Sequence, residues 1–514
     1  MDEDKGEMTL LDTAKSICGA ALEAVDPVRL VRANVVRDGD GLRIAGETFD
    51  LGSFEKIWLV AFGKAAAGMA EALAEILGDR LSGGLVIVPA AEKGMDRSKP
   101  TPSVQDPSRQ DPLGKNDTVS TTTGSDGRDR PDSIPNNDKA GSVDPVSLGA
   151  SPARKLEVLE AAHPLPGARS IEAARRALAL AEKAGVKDLI IVCVSGGGSS
   201  LLCLPAEGVT LDEKTGLTRD LLRAGASIRE LNIVRKHLSG IKGGRLAKAA
   251  SPATVVSLII SDVNGDDLET IASGPAYWDS STFADARDIL ERHELWDGAP
   301  ASVRARIEAG DRGDLPETLK SDDPVFENAH AFVIGNNLAA LRGARRRTEG
   351  LGYESFILTS TDEGEARKAA HDYAAFIAGL ACAMSAAPKP ICLLAGGEVT
   401  VSVRGKGRGG RNTEFVLASL LEFAEEEVAS AMSSGLEWLV LSIGTDGVDG
   451  PTDAAGAWAV ASTLGRAKQL GLDAEKYLDE NDSYSFFEKT GNLVLTGPTG
   501  TNVCDVRIFL IRPV

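Results

Sequence analysis

Several short stretches place residues of chemically useful type directly after an apolar run. In "VCVSGGGSSLL", Ser195 is followed by Gly196, Gly197 and Gly198, and then by Ser199 and Ser200. Glycine inside an element weakens it by about 0.5–1 kcal/mol relative to alanine, so three in succession belong where backbone must approach something closely or take a positive φ. A loop of bare N–H groups leaving a strand and entering a helix binds anions, phosphates above all; a tight turn needing small residues is the other reading. "AFGKAA" sets Lys64 at a helix start, where its ammonium can sit among phosphate oxygens, orient a nucleophile, or simply face solvent. "SDVNGDD" gathers Asp262, Asn264, Asp266 and Asp267. Such carboxylates hold a divalent cation or accept a hydroxyl proton; Asp262 is favoured because it directly ends a strand, while Asp266 and Asp267 also suit helix capping. "GKGRGGRN" concentrates cations on flexible backbone up to Asn412, with Arg411 or Arg408 able to neutralise phosphoryl charge, or to decorate a basic hairpin. His163, in the turn of "HPLPG", has no partner visible in the sequence and reads as structural.

The elements that must position these residues follow a pattern. "KIWLVAF" reads as a strand followed by an alanine-rich amphipathic helix, "DLIIVCV" leads into Ser195, and "TVVSLIISDV" is a continuous apolar strand ending at Asp262. In the second half Asn336 and Asn337 follow "AFVIG", Glu398 follows "LLAGG", and Thr445, Asp446 and Asp449 follow "VLSIG". Alternating strands and helices predict α/β layers, and in doubly wound sheets ligands bind beyond the carboxyl ends of strands. Two such edges facing one another would enclose a cleft. A polar stretch between Pro316 and Pro324 divides the chain, giving expected domains of 1–318 and 325–514. Residues 93–152 are rich in Asp, Ser, Pro, Asn and Gly and hold no aromatic residue, which predicts a disordered insertion.

Bulk composition excludes several classes. A net charge of −19 argues against nucleic acid or an anionic membrane surface as partner. The six cysteines are scattered without a CxxC pair, so buried thiols are expected rather than disulfides or a zinc site. The acidic start "MDEDKGEMTL" has no apolar core, and no stretch reaches membrane-spanning length, so the cytoplasm is the expected location. GxxxxGK[ST], the protein-kinase motifs, GxSxG and a GxGxxG after the first strand are all missing, which sets aside P-loop, kinase-fold, serine-hydrolase and dehydrogenase templates.

Seven blocks carry a resemblance: "HPLPG", "VSGGGSSLL", "ELNIVRKHLSGIKGGRLA", "LIISDVNGDDLETIASGPAYWDSSTF", "LLAGGEVTVSVRGKGRGGRN", "SIGTDGVDGPTDAAGA" and "TGPTGTNVCDVRI". Together and in order they resemble the glycerate 2-kinases of the MOFRL family. The resemblance implies a two-domain α/β protein, with a Rossmann-like N-terminal domain, a smaller C-terminal MOFRL domain and an active site in the cleft between them. It implies ATP-dependent phosphorylation of D-glycerate at O2, with Mg²⁺ or another divalent cation. By position it implies Lys64, Asp262 and Arg411 as catalytic, and Ser195, Gly196, Gly197, Gly198, Ser199, Ser200 and Lys236 as phosphate- or ATP-binding. It leaves Asn264, Asn336, Glu398, Asn412 and Asp446 to substrate or cleft, and Asp262 or Asp446 to the metal. Two other readings compete: an NAD(P)H-dependent hydroxypyruvate reductase, a label some members have carried, and a non-enzymatic sensor of phosphorylated metabolites. Oligomeric state is silent in the sequence.

Overall fold

The apolar runs ahead of the polar loops become the strands of two large sheets. The computed structural model describes residues 8–90, 103–104, 155–384, 389–432 and 435–514. Apart from residues 103–104, the expected insertion at 93–152 lies outside the described residues. Three short antiparallel strands, β1 (Val35–Asp38), β2 (Gly41–Ile44) and β3 (Glu47–Asp50), form a small sheet of their own. Next come β4 (Lys56–Phe62), β5 (Leu81–Pro89), the dipeptide β6 (Ser103–Val104), β7 (Leu156–Ala161), β8 (Asp188–Val194), β9 (Thr254–Ile260) and β10 (Ala329–Gly335).

The first large sheet has the order β10-β9-β8-β4-β5-β7, and every neighbouring pair is parallel. Counted along the chain, that is the 3-2-1-4-5-6 order of a Rossmann sheet. From β4 the chain winds outward through β5 to β7, then returns to β8 and winds the opposite way. The loops leaving β4 and β8 therefore diverge, and a crevice opens between them. Every residue of β8 is buried, as expected for a parallel strand covered by helices on both faces.

The second sheet adds β11 (Glu354–Asp362), β12 (Ile391–Gly397), β13 (Leu436–Gly444), β14 (Gly456–Val460), β15 (Leu493–Leu495) and β16 (Asp505–Pro513). Its order is β11-β12-β16-β13-β14-β15-β6, with Ser103–Val104 pairing at the far edge against β15. β16 runs antiparallel between β12 and β13, so β11, β12 and β13 all end where β16 begins. One sheet edge thus collects Asp362, Glu398, Asp446 and Asp505.

The chain passes between the sheets more than once. β10, which lies beyond the cut expected at 318–325, hydrogen-bonds β9 and completes the first sheet. A strand's partner is set by pairing across the sheet, which its own composition does not encode. In the other direction, the N-terminal helix Leu10–Ala24 packs against the helix Asn337–Gly350 and against β13 and β16. One continuous core joins Ile17 and Ala21 to Leu59 and Ile191 of the first sheet and to Leu441 and Ile508 of the second. The described cysteines Cys18, Cys193, Cys203, Cys392 and Cys504 are buried and unpaired. Among the described residues no helix is long and apolar enough to cross a membrane.

The two crossing helices approach closely at Gly343, where a Cβ would collide with Ala24 Cβ and lie 2.7 Å from the Ala20 carbonyl oxygen. Gly343→Ala should therefore destabilise the fold by about 1–3 kcal/mol, the usual cost of overpacking. Urea denaturation checks this; an unmoved midpoint would mean that the helices part freely.

Candidate active site

The crevice between β4 and β8 is held closed at its base. Gly63 has φ +123°, and a Cβ there would collide with the Ser195 hydroxyl and lie 2.5 Å from its carbonyl oxygen, so the two loops touch backbone to backbone. Lys64 N–H donates to the Gly196 carbonyl at 2.8 Å, and Ala65 N–H donates to Ser195 Oγ at 3.0 Å. These bonds fix the backbone of Lys64 and direct its side chain outward. Its Nζ donates to Asp446 Oδ2 at 2.6 Å, joining the first sheet to the loop after β13. The second oxygen of Asp446 accepts the Val448 N–H at 3.1 Å.

The glycine run admits protein groups as well as leaving N–H groups free. A Cβ on Gly196 would lie 2.6 Å from Asp262 Oδ2; on Gly197, at φ +80°, 2.7 Å from the imidazole of His163; on Gly198, 2.9 Å from the ring of Phe62. Close packing thus dictates these glycines before any ligand is considered. Among the described residues the N–H groups of Gly196 and Ser199 have no acceptor, and they remain available. Ser199 Oγ lies 3.0 Å from Ser273 Oγ, and Ser200 Oγ donates to the Gly197 carbonyl at 3.0 Å.

Asp262 is half-buried behind this loop, and Asn502 Nδ2 donates to its Oδ2 at 3.3 Å. Burial raises its pKa above the usual carboxylate range, Asp446 adds to the rise, and Lys64 opposes it. A carboxylate tuned upward is suited to accept a proton. Glu398 is raised too, mainly by burial, with Asp505, Asp262 and Asp446 adding to the rise and Arg411 opposing it.

Arg411 opens the helix Arg411–Glu422, whose first N–H groups, from Asn412 and Thr413, both donate at 2.8 Å to the buried carboxylate of Asp449. Arg411 Nε donates to Asp505 Oδ2 at 2.7 Å, and its Nη1 pairs with Glu398 at 3.0 Å. Burial works against its charge, but these carboxylates hold its pKa above the ordinary arginine value. Asp505 is fully buried and also receives Asn412 Nδ2 at 3.0 Å and Arg507 Nη2 at 3.4 Å. Arg507, itself fully buried, continues to Asp362 at 3.0 Å, with its guanidinium 4.9 Å from the ring of Phe415.

The structure thus brings together Lys64, the Ser195–Ser200 loop, Asp262, Asp446, Glu398 and Arg411. It does not bring in Lys236, whose ammonium is buried against Asp279 at 2.5 Å and lines another cavity, of about 590 Å³, with Asn232 and Thr270. Asn336 caps the next helix at Ala339 N–H (3.0 Å) and bonds Asp266. Asn412 is buried among Asp449, Asp505 and Ser442. Asn264 bridges the sheets by donating to the Asp362 carbonyl at 3.0 Å. Arg408 lies over the ring of Tyr484, 4.1 Å from its centroid, away from the cluster. His163, which the sequence offers only as a structural residue, lies against Gly197, and sequence reasoning missed Asn502 and the Asp362–Arg507–Asp505 chain. The signal for the last was Asp505 and Arg507 standing in the apolar run "NVCDVRIFLI".

For a cation, Asp262 and Asp446 offer hard carboxylate oxygens, but among the described residues no group of three or more His, Cys, Asp or Glu side chains converges. Two carboxylates are a donor set that an ion such as Mg²⁺ commonly takes, its shell completed by water and substrate phosphates.

Two family models match the chain: a domain of unknown function, DUF4147, over residues 13–308, and the MOFRL family over residues 391–505. A glycerate 2-kinase of Pyrococcus horikoshii is 35% identical over 505 residues, covering 98% of each chain. The crystal structure of a glycerate kinase from Thermotoga maritima superposes with a TM-score of 0.71 at 35% identity, over 98% of this chain and 99% of that one. A protein of Agrobacterium vitis with the provisional name hydroxypyruvate reductase is 42% identical over 370 residues, covering 70% of this chain and 79% of its own.

Asp505→Asn leaves Arg411 and Arg507 without their shared buried counter-charge, and breaking such a pair typically costs about 3–5 kcal/mol. The variant should show a markedly lower thermal midpoint by calorimetry; an unchanged one would mean that water reaches the pair.

Proposed function

The chain belongs to the glycerate 2-kinase family, and from that premise we propose that it transfers the γ-phosphoryl group of ATP to O2 of D-glycerate, giving 2-phospho-D-glycerate and ADP. The observation that carries this reading is the Lys64–Asp446 pair at 2.6 Å, which sets a cation, the free N–H groups of the glycine loop and the upward-tuned carboxyl of Asp262 around one crevice. Phosphoryl transfer asks a protein chiefly for positioning and for charges aimed at the transferring oxygens. In this scheme Asp262 accepts the proton of the C2 hydroxyl. Lys64 and Arg411 neutralise phosphoryl charge from opposite sheets, and the N–H groups of Gly196 and Ser199 meet the remaining oxygens. Mg²⁺, when bound with ATP, neutralises charge on its phosphates, and Asp262 or Asp446 would hold it. Lys236, which lines the cavity with Asn232 and Thr270, is given no role in the scheme.

We also propose two domains divided after β10, with the catalytic groups in the cleft between their sheet edges. The buried, unpaired cysteines support a reducing, cytoplasmic setting. A reductase would need a dinucleotide fingerprint after β4. There Gly63 is spent on Ser195, and Gly68 on Pro27, whose Cγ would lie 2.8 Å from an added Cβ.

Phosphorus NMR of the protein with ATP, Mg²⁺ and D-glycerate should show 2-phosphoglycerate. Product appearing only as 3-phosphoglycerate would overturn the regiochemistry, and untouched ATP the kinase reading. Lys64→Ala should lower kcat by about 10²-fold or more, the scale of losing one preorganised electrostatic group, with little change in thermal midpoint. Loss of folding instead would make its role structural.

A further inference from the structure

β7 is the outermost strand of the first sheet, separated from β8 by β5 and β4, yet the turn that follows it reaches back over the glycine loop. It delivers His163 against Gly197, so closely that a Cβ on Gly197 would lie 2.7 Å from imidazole Cδ2 and Nε2. The ring is half-buried and makes no hydrogen bond to any described residue. The charged groups acting on it are Lys64 and Asp446, the pair that spans the crevice. A partly covered imidazole with both nitrogens unused, beside a loop in which the N–H groups of Gly196 and Ser199 are also unused, lacks an acceptor that a ligand would supply.

We propose, resting on the kinase reading, that His163 is a further catalytic residue, donating an imidazole N–H to an oxygen of the phosphoryl group in transfer. In that transfer the bond from glycerate O2 to the γ-phosphorus forms and the bond from that phosphorus to the β–γ bridging oxygen breaks. ADP leaves with the electron pair, and the hydroxyl proton passes to Asp262. The N–H of His163 is neither gained nor lost. Burial, reinforced by Lys64 and opposed by Asp446, holds its pKa below the ordinary histidine value, and a neutral imidazole still carries one N–H to donate.

The test compares His163→Ala with His163→Gln, which keeps an N–H donor on a side chain of similar reach. His163→Ala should lower kcat by about 10²-fold, with both KM values within about threefold and the thermal midpoint unchanged, and His163→Gln should recover about tenfold of that loss. His163→Ala with near wild-type kcat, or Gln no better than Ala, overturns the proposal. A second measurement uses the wild-type protein: ring ¹⁵N NMR of the five histidines, with His163 identified by its loss in His163→Gln. Saturating ATP and Mg²⁺ should shift the His163 signal, and an unmoved signal overturns the contact. A wild-type protein that makes no 2-phosphoglycerate overturns the kinase reading and this role together. An active protein with an unimpaired His163→Ala overturns this role alone.

Discussion

A carboxylate with no access to water, Asp505 at the first position of β16, sets the terms for the second half of the molecule. Removing such a charge from solvent costs several kcal/mol unless cations and donors surround it. Arg411, Arg507 and Asn412 meet that requirement, and each is fixed by doing so. Arg507 in turn needs Asp362, which accepts Tyr373 Oη at 2.6 Å and, through its carbonyl, binds Asn264 of the first sheet. One buried charge thereby orders the sheet edge, aims Arg411 towards the cleft and anchors that edge beside the loop that carries Asp262.

The first sheet solves its own problem by sterics rather than charge. Its crevice exists because strand order reverses between β4 and β8, and it stays narrow because Gly63 and Ser195 touch. Each glycine of the run makes room for a different neighbour, namely Asp262, His163 and Phe62. A loop that could have been a bare anion cradle is instead a junction, where backbone N–H groups, a carboxyl and an imidazole converge from three different strands. Because interiors pack as densely as crystals, small errors there propagate into the positions of the reacting groups.

The continuous core between the sheets constrains how the cleft can open. With the N-terminal helix wedged beside Asn337–Gly350 and both sheets sharing one apolar cluster, the domains meet along a packed interface rather than a flexible linker. The Lys64–Asp446 pair then joins the Asn264 and Asn502 hydrogen bonds as a polar contact along that joint. In the proposed reaction a phosphate entering the crevice competes with Asp446 for the ammonium of Lys64.

The sequence alone determined the elements and the chemistry they offer. Continuous apolar runs marked β4, β8, β9, β12 and β13, because a strand buried on both faces has no polar side to show. The polar residues just after them were legible as a set, since ligand sites lie beyond strand ends. Tertiary structure alone decided which of those residues meet. Lys236 and Asn412 look as eligible in the sequence as Lys64 and Arg411, but Lys236 pairs with Asp279 beside Asn232 and Thr270, and Asn412 is fully buried among Asp449, Asp505 and Ser442. β10 joined the first sheet, and His163 came from the far strand to cover Gly197. Strand order, cross-sheet ion pairs and the neighbours of a missing Cβ are relations between segments distant in the chain, and local pattern carries no record of them.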